Sequence, residues 1–307
     1  MEKVIVVIGP TSVGKTKMGV ALAKKFNGEV ISGDSMQIYK QMDIGTAKVT
    51  EEEKEGIIHH CVDILNPDET YSVHDFQQTV RKKITEITQR GHVPIIVGGT
   101  GLYIKAALYD YQFDEMENDH HAINEKYKDY TNEQLHDHLK SIDEESAKIL
   151  HFNNRRRVLR AIEIYETTGK RKSEMLEEQE HICLYDAYFV GLTLPRDILY
   201  ERINKRVDVM MKNGLKEEMD QLYSQGLTRN HQSMKAIGYK EWFDYYDRQI
   251  DLNEVLELIK KHSRQYAKRQ YTWFKNQFDV HWYDVNLENF KQTIEQVTDD
   301  IEKILKV

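Results

Sequence analysis

The sequence predicts an α/β fold: a parallel sheet with helices on both faces, plus an all-helical insertion. Three observations carry this. Short apolar runs alternate with helix-length amphipathic segments through the first hundred or so residues, the pattern of parallel strands joined by helical crossovers. A glycine-rich turn directly follows the first apolar run. From about residue 114 to 180 the rhythm stops, and a charged, helix-patterned stretch without strand signals intervenes before an apolar run returns at 185–194.

Residues 3–8 read as a buried strand and 14–26 as the helix that follows. A second short strand at 29–32 leads to Asp34. A polar segment then runs to a strand expected at 60–65, a helix at 73–90 and a strand at 93–97, closed by Gly98-Gly99-Thr100-Gly101. After the insertion come the strand at 185–194 and one long helix from Pro195 to about 225. A helix at 252–275, a strand at 281–285 and a C-terminal helix finish the chain. The implied organisation is a discontinuous catalytic core, 1–113 and 183–307, with 114–182 as a helical insertion. No internal repeat or low-complexity segment interrupts it.

Composition narrows the class. With 40% hydrophobic residues in 307, the chain has enough apolar surface for a sizeable core and is not of disordered type. The apolar runs are strand-length, so no membrane helix is expected. The first strand begins within a few residues of Met1, leaving no room for a signal peptide. Cys61 and Cys183 form no CxxC pair and are expected as reduced thiols of a cytoplasmic protein. A net charge of −8 argues against a nucleic-acid partner, but the charge is segregated. Residues 114–145 carry eleven acids and three bases, whereas 155–172 carry seven bases and two acids. A phosphate backbone feels the local field, so the basic stretch outweighs the sum.

Gly9-Pro10-Thr11-Ser12-Val13-Gly14-Lys15-Thr16 fits G-x-x-x-x-G-K-[ST], between a strand and a helix as the mechanism requires. The glycines let the backbone wrap an anion, N–H groups point inward at a helix N-terminus, Lys15 adds a point charge, and the Thr16 hydroxyl is suited to Mg²⁺. The core is therefore a P-loop-type parallel sheet that binds a di- or triphosphate. The apolar strand at 93–97 ends in Gly98-Gly99-Thr100 rather than the aspartate of an NTP hydrolase, so the chemistry need not be hydrolysis.

Further stretches follow in order: Ile31-Ser32-Gly33-Asp34-Ser35-Met36-Gln37-Ile38-Tyr39 with Met42-Asp43-Ile44-Gly45-Thr46-Ala47-Lys48, then Gly98-Gly99-Thr100-Gly101-Leu102-Tyr103. Arg156-Arg157-Val158-Leu159-Arg160-Ala161, Ala236-Ile237-Gly238-Tyr239 and Gln265-Tyr266-Ala267-Lys268-Arg269-Gln270-Tyr271-Thr272-Trp273 complete the set. With the P-loop, this chain resembles the tRNA dimethylallyltransferase family across roughly residues 3 to 275. It departs from the family pattern at Gly33 (usually alanine or valine), Val49 (usually proline) and Asn153-Asn154, none at a position matched to catalysis. The paired cysteines of a zinc finger are absent.

That resemblance implies dimethylallyl diphosphate as donor, the N6 amine of the adenosine 3′ of the tRNA anticodon as acceptor, and Mg²⁺ as cofactor. It implies Asp34 as general base, since an adenine amine is a weak nucleophile needing an acceptor for its proton. Thr100 and Arg206 match positions near the bridging oxygen, with Arg202 one turn away as the alternative. The segment 9–16 would hold the diphosphate. Asp34, Ser35, Met36, Gln37, Arg156, Arg157, Arg160, Lys235, Gly238, Tyr239, Lys240, Lys268 and Arg269 would contact the tRNA. Arg264, Lys268, Tyr271 and Lys275 share a helical stripe opposite an apolar one, a mixture of cations and an aromatic suited to single-stranded RNA.

Adjacent histidines at 59–60 and 120–121 diverge in regular structure, and His136 and His138 fall on different helix faces, so none is assigned to a metal. Three other readings compete, one of them an RNA-binding protein that has lost catalysis, against which the intact Asp34, Lys15 and Arg206 argue. A P-loop metabolite or nucleotide kinase explains the phosphate loop but not the Asp34 and Thr100 stretches or the basic insertion. A prenyltransferase acting on free adenine nucleotides does not need that insertion.

Overall fold

The apolar runs pair side by side, all parallel, in one six-stranded sheet. The computed structural model describes residues 1–111, 120–177 and 181–305. The chain begins with β1 (Lys3–Ile8), α1 (Lys15–Lys25), β2 (Gly28–Ser32), α2 (Glu51–Lys54), β3 (His59–His60), α3 (Val73–Gln89), β4 (Val93–Val97) and α4 (Gly101–Leu108). Then come α5 (His120–Lys126), α6 (Asn132–Ile142), α7 (Glu144–Ile149), α8 (Arg155–Thr168) and α9 (Lys172–Glu177). The remainder is β5 (Asp186–Thr193), α10 (Arg196–Lys212), α11 (Leu215–Ser224), α12 (Trp242–Tyr246), α13 (Leu252–Gln277), β6 (His281–Asp284) and α14 (Phe290–Leu305).

The chain divides into two compact units, Met1–Tyr109 with Cys183–Val307, and Asp110–Ile182. The junction lies a few residues earlier than the sequence pattern set it. The cause is an antiparallel bridge between Tyr109 and Cys183, with the Leu184 N–H donating to the Leu108 carbonyl at 2.8 Å, which closes the first unit.

In the larger unit the strand order is β3-β2-β4-β1-β5-β6. β1 sits in the interior, and Val4 through Ile8 are fully buried, as a two-faced parallel sheet requires. Period-two alternation divides them. Val4, Val6 and Ile8 enter one core with Phe76, Val80 and Ile84 of α3 and Ile104 of α4. Ile5 and Val7 enter the other with Met18 and Leu22 of α1 and Val297 and Ile301 of α14. Among the described residues no helix is long and apolar enough to cross a membrane.

Two expected elements differ. The single helix over 195–225 is broken, because Gly214 takes φ 98° and caps α10 from α11. The strand expected at 60–65 is only two residues long. Cys61 and Asp63 adopt left-handed backbone (φ 61° and 55°), which no ladder accommodates, and pairing resumes only as a bridge between Tyr39 and Leu65. His59 and His60 do diverge: Nδ1 of His59 meets the Ile57 carbonyl at 2.9 Å, whereas Nε2 of His60 meets Glu29 at 2.6 Å. Burial alone would raise the Glu29 carboxyl, but hydrogen bonds from Arg90, His60 and His92 outweigh it and hold Glu29 down at about 2.

The described part of the smaller unit consists of α5–α9 around Leu135, Leu139, Val158 and Ile162. Asp143 at its centre accepts the N–H groups of Ser146 (3.0 Å) and Ser173 (3.1 Å), tying α7 to α9. His136 Nε2 meets the Leu150 carbonyl at 2.9 Å, and His138 Nε2 meets the Tyr127 hydroxyl at 3.0 Å, so the two are separately engaged. The side chains of the 120–121 pair lie outside the described residues.

Candidate active site

The turn after β1 has the backbone of a phosphate cradle. Gly9 and Gly14 take φ 145° and 106°, and a Cβ at Gly9 would fall 2.5 Å from the Leu192 carbonyl oxygen. Lys15 opens α1 and donates from Nζ to the carbonyls of Gly9 (3.0 Å) and Pro10 (2.8 Å), which brings its ammonium back over the loop. Ser12 has φ 67°, and its buried hydroxyl has no partner among the described residues, as suits a group awaiting an anion. Two loop members also have partners away from the cradle. Val13 is 1% exposed and belongs to the core, and the Thr11 N–H donates to Gln270 Oε1 at 3.0 Å.

Three strand ends are stitched together beside this loop. The Gly98 N–H donates to the Val7 carbonyl (3.1 Å), the Gly33 N–H to Val97 (2.8 Å), and the Thr100 N–H to Gly33 (3.1 Å). Asp34 follows directly, and its Oδ1 accepts the Met36 N–H at 2.9 Å. Burial pushes the Asp34 carboxyl above the usual range, opposed by that hydrogen bond and by the charges of Lys15 and Arg206. Burial, with Arg206 beside it, draws the Lys15 ammonium down to about 7 against the pull of Asp34. Arg206, on α10, is likewise lowered by burial, while Glu53 and Asp34 favour its charge.

Two pockets meet here. The first, about 660 Å³, is lined by Thr11–Lys17, Asp34, Gln37, Arg202, Arg206 and apolar groups including Val97 and Phe290. The second, about 370 Å³, is lined by Ser35, Met36, Gly45–Ala47, Lys235–Gly238, Lys240, Tyr266 and Arg269. Thr11, Ser12, Lys15, Asp34, Thr46, Ala47, Gly99 and Arg206 belong to both. A small anion in one and a planar group in the other would therefore touch across Asp34, Lys15 and Arg206.

Most expected residues stand on these walls; some do not. Arg206 faces both pockets, whereas Arg202 faces only the first and donates from Nε to the Ser12 carbonyl (3.0 Å), a support for the loop. Thr100 is on neither wall: its hydroxyl accepts the Ser35 N–H at 3.0 Å and donates to the Ser35 hydroxyl at 3.3 Å. Tyr239, expected at the tRNA, is fully buried, with its hydroxyl on Glu218 at 2.6 Å. Lys268 is exposed and outside both pockets, and Arg264 of the same stripe is bonded to Asn204. In the smaller unit Arg156 and Arg157 are exposed without an ion pair among the described residues. Arg160 is paired with Glu163 at 2.8 Å.

Residues 37–277 match the family model described as IPP transferase. The chain belongs to the IPP transferase family. It is 55% identical over 287 residues to a tRNA dimethylallyltransferase of Bacillus cereus, covering 92% of this chain and 90% of the relative. The solved tRNA delta(2)-isopentenylpyrophosphate transferase of Staphylococcus epidermidis matches with TM-score 0.74 and 47% identity over 99% of both chains. A eukaryotic dimethylallyltransferase acting on tRNA matches with TM-score 0.86 and 33% identity, over 99% of this chain and 79% of that one.

Sequence reasoning missed Gln270 as a separate site residue. It is 5% exposed on α13, and its amide spans two loops, accepting from Thr11 and donating from Nε2 to the Gly99 carbonyl at 3.0 Å. It stood inside a recognised motif, but nothing local marked its orientation.

The depressed Lys15 has a measurable consequence. If the loop holds a diphosphate, only the ammonium would attract it and the bound anion would raise the Lys15 pKa, so binding would take up a proton as pH rises through about 7. Affinity for dimethylallyl diphosphate, measured by calorimetry, should be highest below pH 7 and fall by up to about tenfold per unit above it. Lys15→Met should bind weakly at every pH, with that slope gone. A wild-type affinity flat from pH 6.5 to 9 would contradict the assignment.

Proposed function

We propose that this chain transfers a dimethylallyl group from dimethylallyl diphosphate to N6 of the adenosine 3′ of the anticodon in tRNA, releasing diphosphate. The observation that carries it is the meeting of an anion pocket and a second, basic-edged pocket at one carboxylate, Asp34. The first suits the diphosphate, with the Ser12 hydroxyl, Lys15 and Arg206 around it. The second, edged by Lys235, Lys240 and Arg269, suits a nucleotide turned out of its loop.

In the reaction, N6 attacks C1 of the dimethylallyl group as the C1–O bond breaks. The electron pair leaves with the diphosphate, and the N6 proton passes to the Asp34 carboxylate. Lys15 and Arg206 stabilise the charge developing on the leaving oxygens, and confinement strengthens their effect. A carboxylate whose proton affinity burial raises, with two cations opposing that rise, is suited to accept that proton.

Among the described residues no group of three His, Cys, Asp or Glu is arranged around a common centre. Thr16, on the wall of the first pocket, is the residue that would hold Mg²⁺, with diphosphate oxygens and waters as the other ligands, a donor set that ion favours. When bound, Mg²⁺ would neutralise diphosphate charge. A tRNA substrate would place the enzyme in the cytoplasm. The kinase reading does not account for the Asp34 and Thr100 stretches or for the basic insertion.

The test combines the chain with Mg²⁺, dimethylallyl diphosphate and unmodified tRNA, followed by mass analysis of nucleosides. Prenylated adenosine is expected, and Asp34→Asn should lower its single-turnover rate by roughly two to four decades while tRNA affinity changes far less. ATP turnover with no prenylated adenosine would promote the kinase. A near-normal rate in Asp34→Asn would leave Asp34 as the former of its turn with Met36.

The exposed arginines of α8 give a second expectation. Arg156→Ala with Arg157→Ala should flatten the salt dependence of tRNA binding by roughly one slope unit for each phosphate that is no longer neutralised. Arg160→Ala should do less, because Glu163 already neutralises it. Unchanged salt dependence in the double variant would make both arginines ordinary surface charge.

A further inference from the structure

One carboxylate outside both pockets holds two separate stretches of the second pocket's wall. Glu218 lies on α11. Its Oε2 accepts the N–H groups of Asp43 and Ile44, both at 2.8 Å, and its Oε1 accepts the Gly45 N–H at 3.0 Å. The same Oε1 accepts the Tyr239 hydroxyl at 2.6 Å. Gly45 opens the stretch that continues through Thr46 and Ala47 on one side of the pocket; Tyr239 lies between Gly238 and Lys240 on another.

These stretches touch. A Cβ at Gly45 would fall 2.5 Å from the Tyr239 ring, and one at Gly238 would fall 3.3 Å from the Gly45 carbonyl oxygen. The requirement for a carboxylate is specific. Four donors converge on two oxygens, and an amide would offer one oxygen while turning an NH₂ group against N–H donors. The 43–48 segment also has an independent anchor: the Lys48 ammonium donates to the Tyr39 carbonyl (2.7 Å), Asp43 (2.6 Å) and Asp63 (2.6 Å). Removing the Glu218 carboxylate would therefore loosen the pocket wall while Lys48 keeps the loop on the fold.

We infer that Glu218 is a positioning residue for the acceptor: through Asp43, Ile44, Gly45 and Tyr239 it sets the shape of the pocket that receives the nucleotide. This rests on the functional reading above, which gives that pocket to the acceptor. Glu218 acts through the wall and touches neither substrate.

The experiment is steady-state prenyl transfer by the full chain with dimethylallyl diphosphate and tRNA, for wild type, Glu218→Gln, Tyr239→Phe and the double variant. Glu218→Gln should raise KM for tRNA by about tenfold or more, because several charge-assisted hydrogen bonds are weakened or broken. KM for dimethylallyl diphosphate should move far less, since only Thr46 and Ala47 of the clamped segment also line the first pocket, and the thermal midpoint should fall only modestly. Tyr239→Phe, which removes one hydroxyl at nearly constant volume, should move KM for tRNA the same way by less. The double variant should fall short of the product of the two effects, because both act on one clamp. An unchanged KM for tRNA in Glu218→Gln overturns the inference. So does a parallel worsening of both KM values, kcat and thermal midpoint, which would make Glu218 a general prop. If the wild-type chain prenylates no tRNA, the functional reading falls first and this inference with it. Wild-type transfer with no shift in Glu218→Gln removes this inference alone.

Discussion

The site depends on one close approach: the backbone of Gly98, leaving β4, lies directly against the backbone of Gly33, leaving β2. A Cβ on Gly98 would sit 2.3 Å from the Gly33 carbonyl carbon and oxygen, so only glycine permits it. Hydrogen bonds from Gly33 to Val97 and from Thr100 to Gly33 close the two strand ends into one unit, and Gly98 to Val7 adds the end of β1. Because β4 lies between β2 and β1, this approach decides how far the Asp34 loop stands from the Lys15 loop. Residues at the C-terminal ends of parallel strands are where such folds place ligands. Here the crossing glycines turn that general position into a particular juxtaposition of carboxylate and ammonium.

The electrostatics follow from the juxtaposition. Burial disfavours charge on Asp34, Lys15 and Arg206 alike; Asp34 and the two cations favour one another's charge, whereas Arg206 opposes that of Lys15. On the proposed function, a base placed in this way faces the cations, which would lie where diphosphate charge develops. Gln270 adds rigidity at no cost in net charge, since its amide fits an N–H on one loop and a carbonyl on the next. Other residues support the groups that would meet substrate. Thr100 holds Ser35, Arg202 holds Ser12, and Tyr239 and Glu218 hold the 43–45 segment.

What could be seen in the sequence was what is local. Five consecutive apolar residues at 4–8, the phosphate-loop spacing and the Gly98-Gly99-Thr100 ending announced β1, the cradle and β4 through their own patterns. Lys15 and Asp34 came out of ordered motifs, and Arg206 from the family resemblance, with Arg202 as its alternative. The break at Gly214 was hidden because one glycine in a helical pattern is ambiguous; Cys61, the left-handed residue directly after β3, is not of a type that signals it, and Asp63, which is, reads equally as an ordinary polar residue. Long-range partners left no trace at all. Gln270 meets Thr11 across 259 residues and Glu218 meets Asp43 across 175, and each looks like an ordinary polar residue on an amphipathic helix. Tyr239 was placed at the tRNA by its motif, whereas its ring fills the space left by the missing side chain of Gly45.

The glycine crossing is open to direct measurement through the single-turnover prenyl-transfer rate of Gly98→Ala. An added Cβ must push the Gly33 backbone aside and carry Asp34 away from Lys15, while the remainder of the sheet stays paired. Misplacement on the order of 1 Å should lower the rate about a hundredfold, with far-UV circular dichroism and tRNA affinity close to those of the unsubstituted chain. A rate within about threefold of wild type, well inside that hundredfold expectation, would contradict the claim that this crossing sets the geometry of the reacting groups.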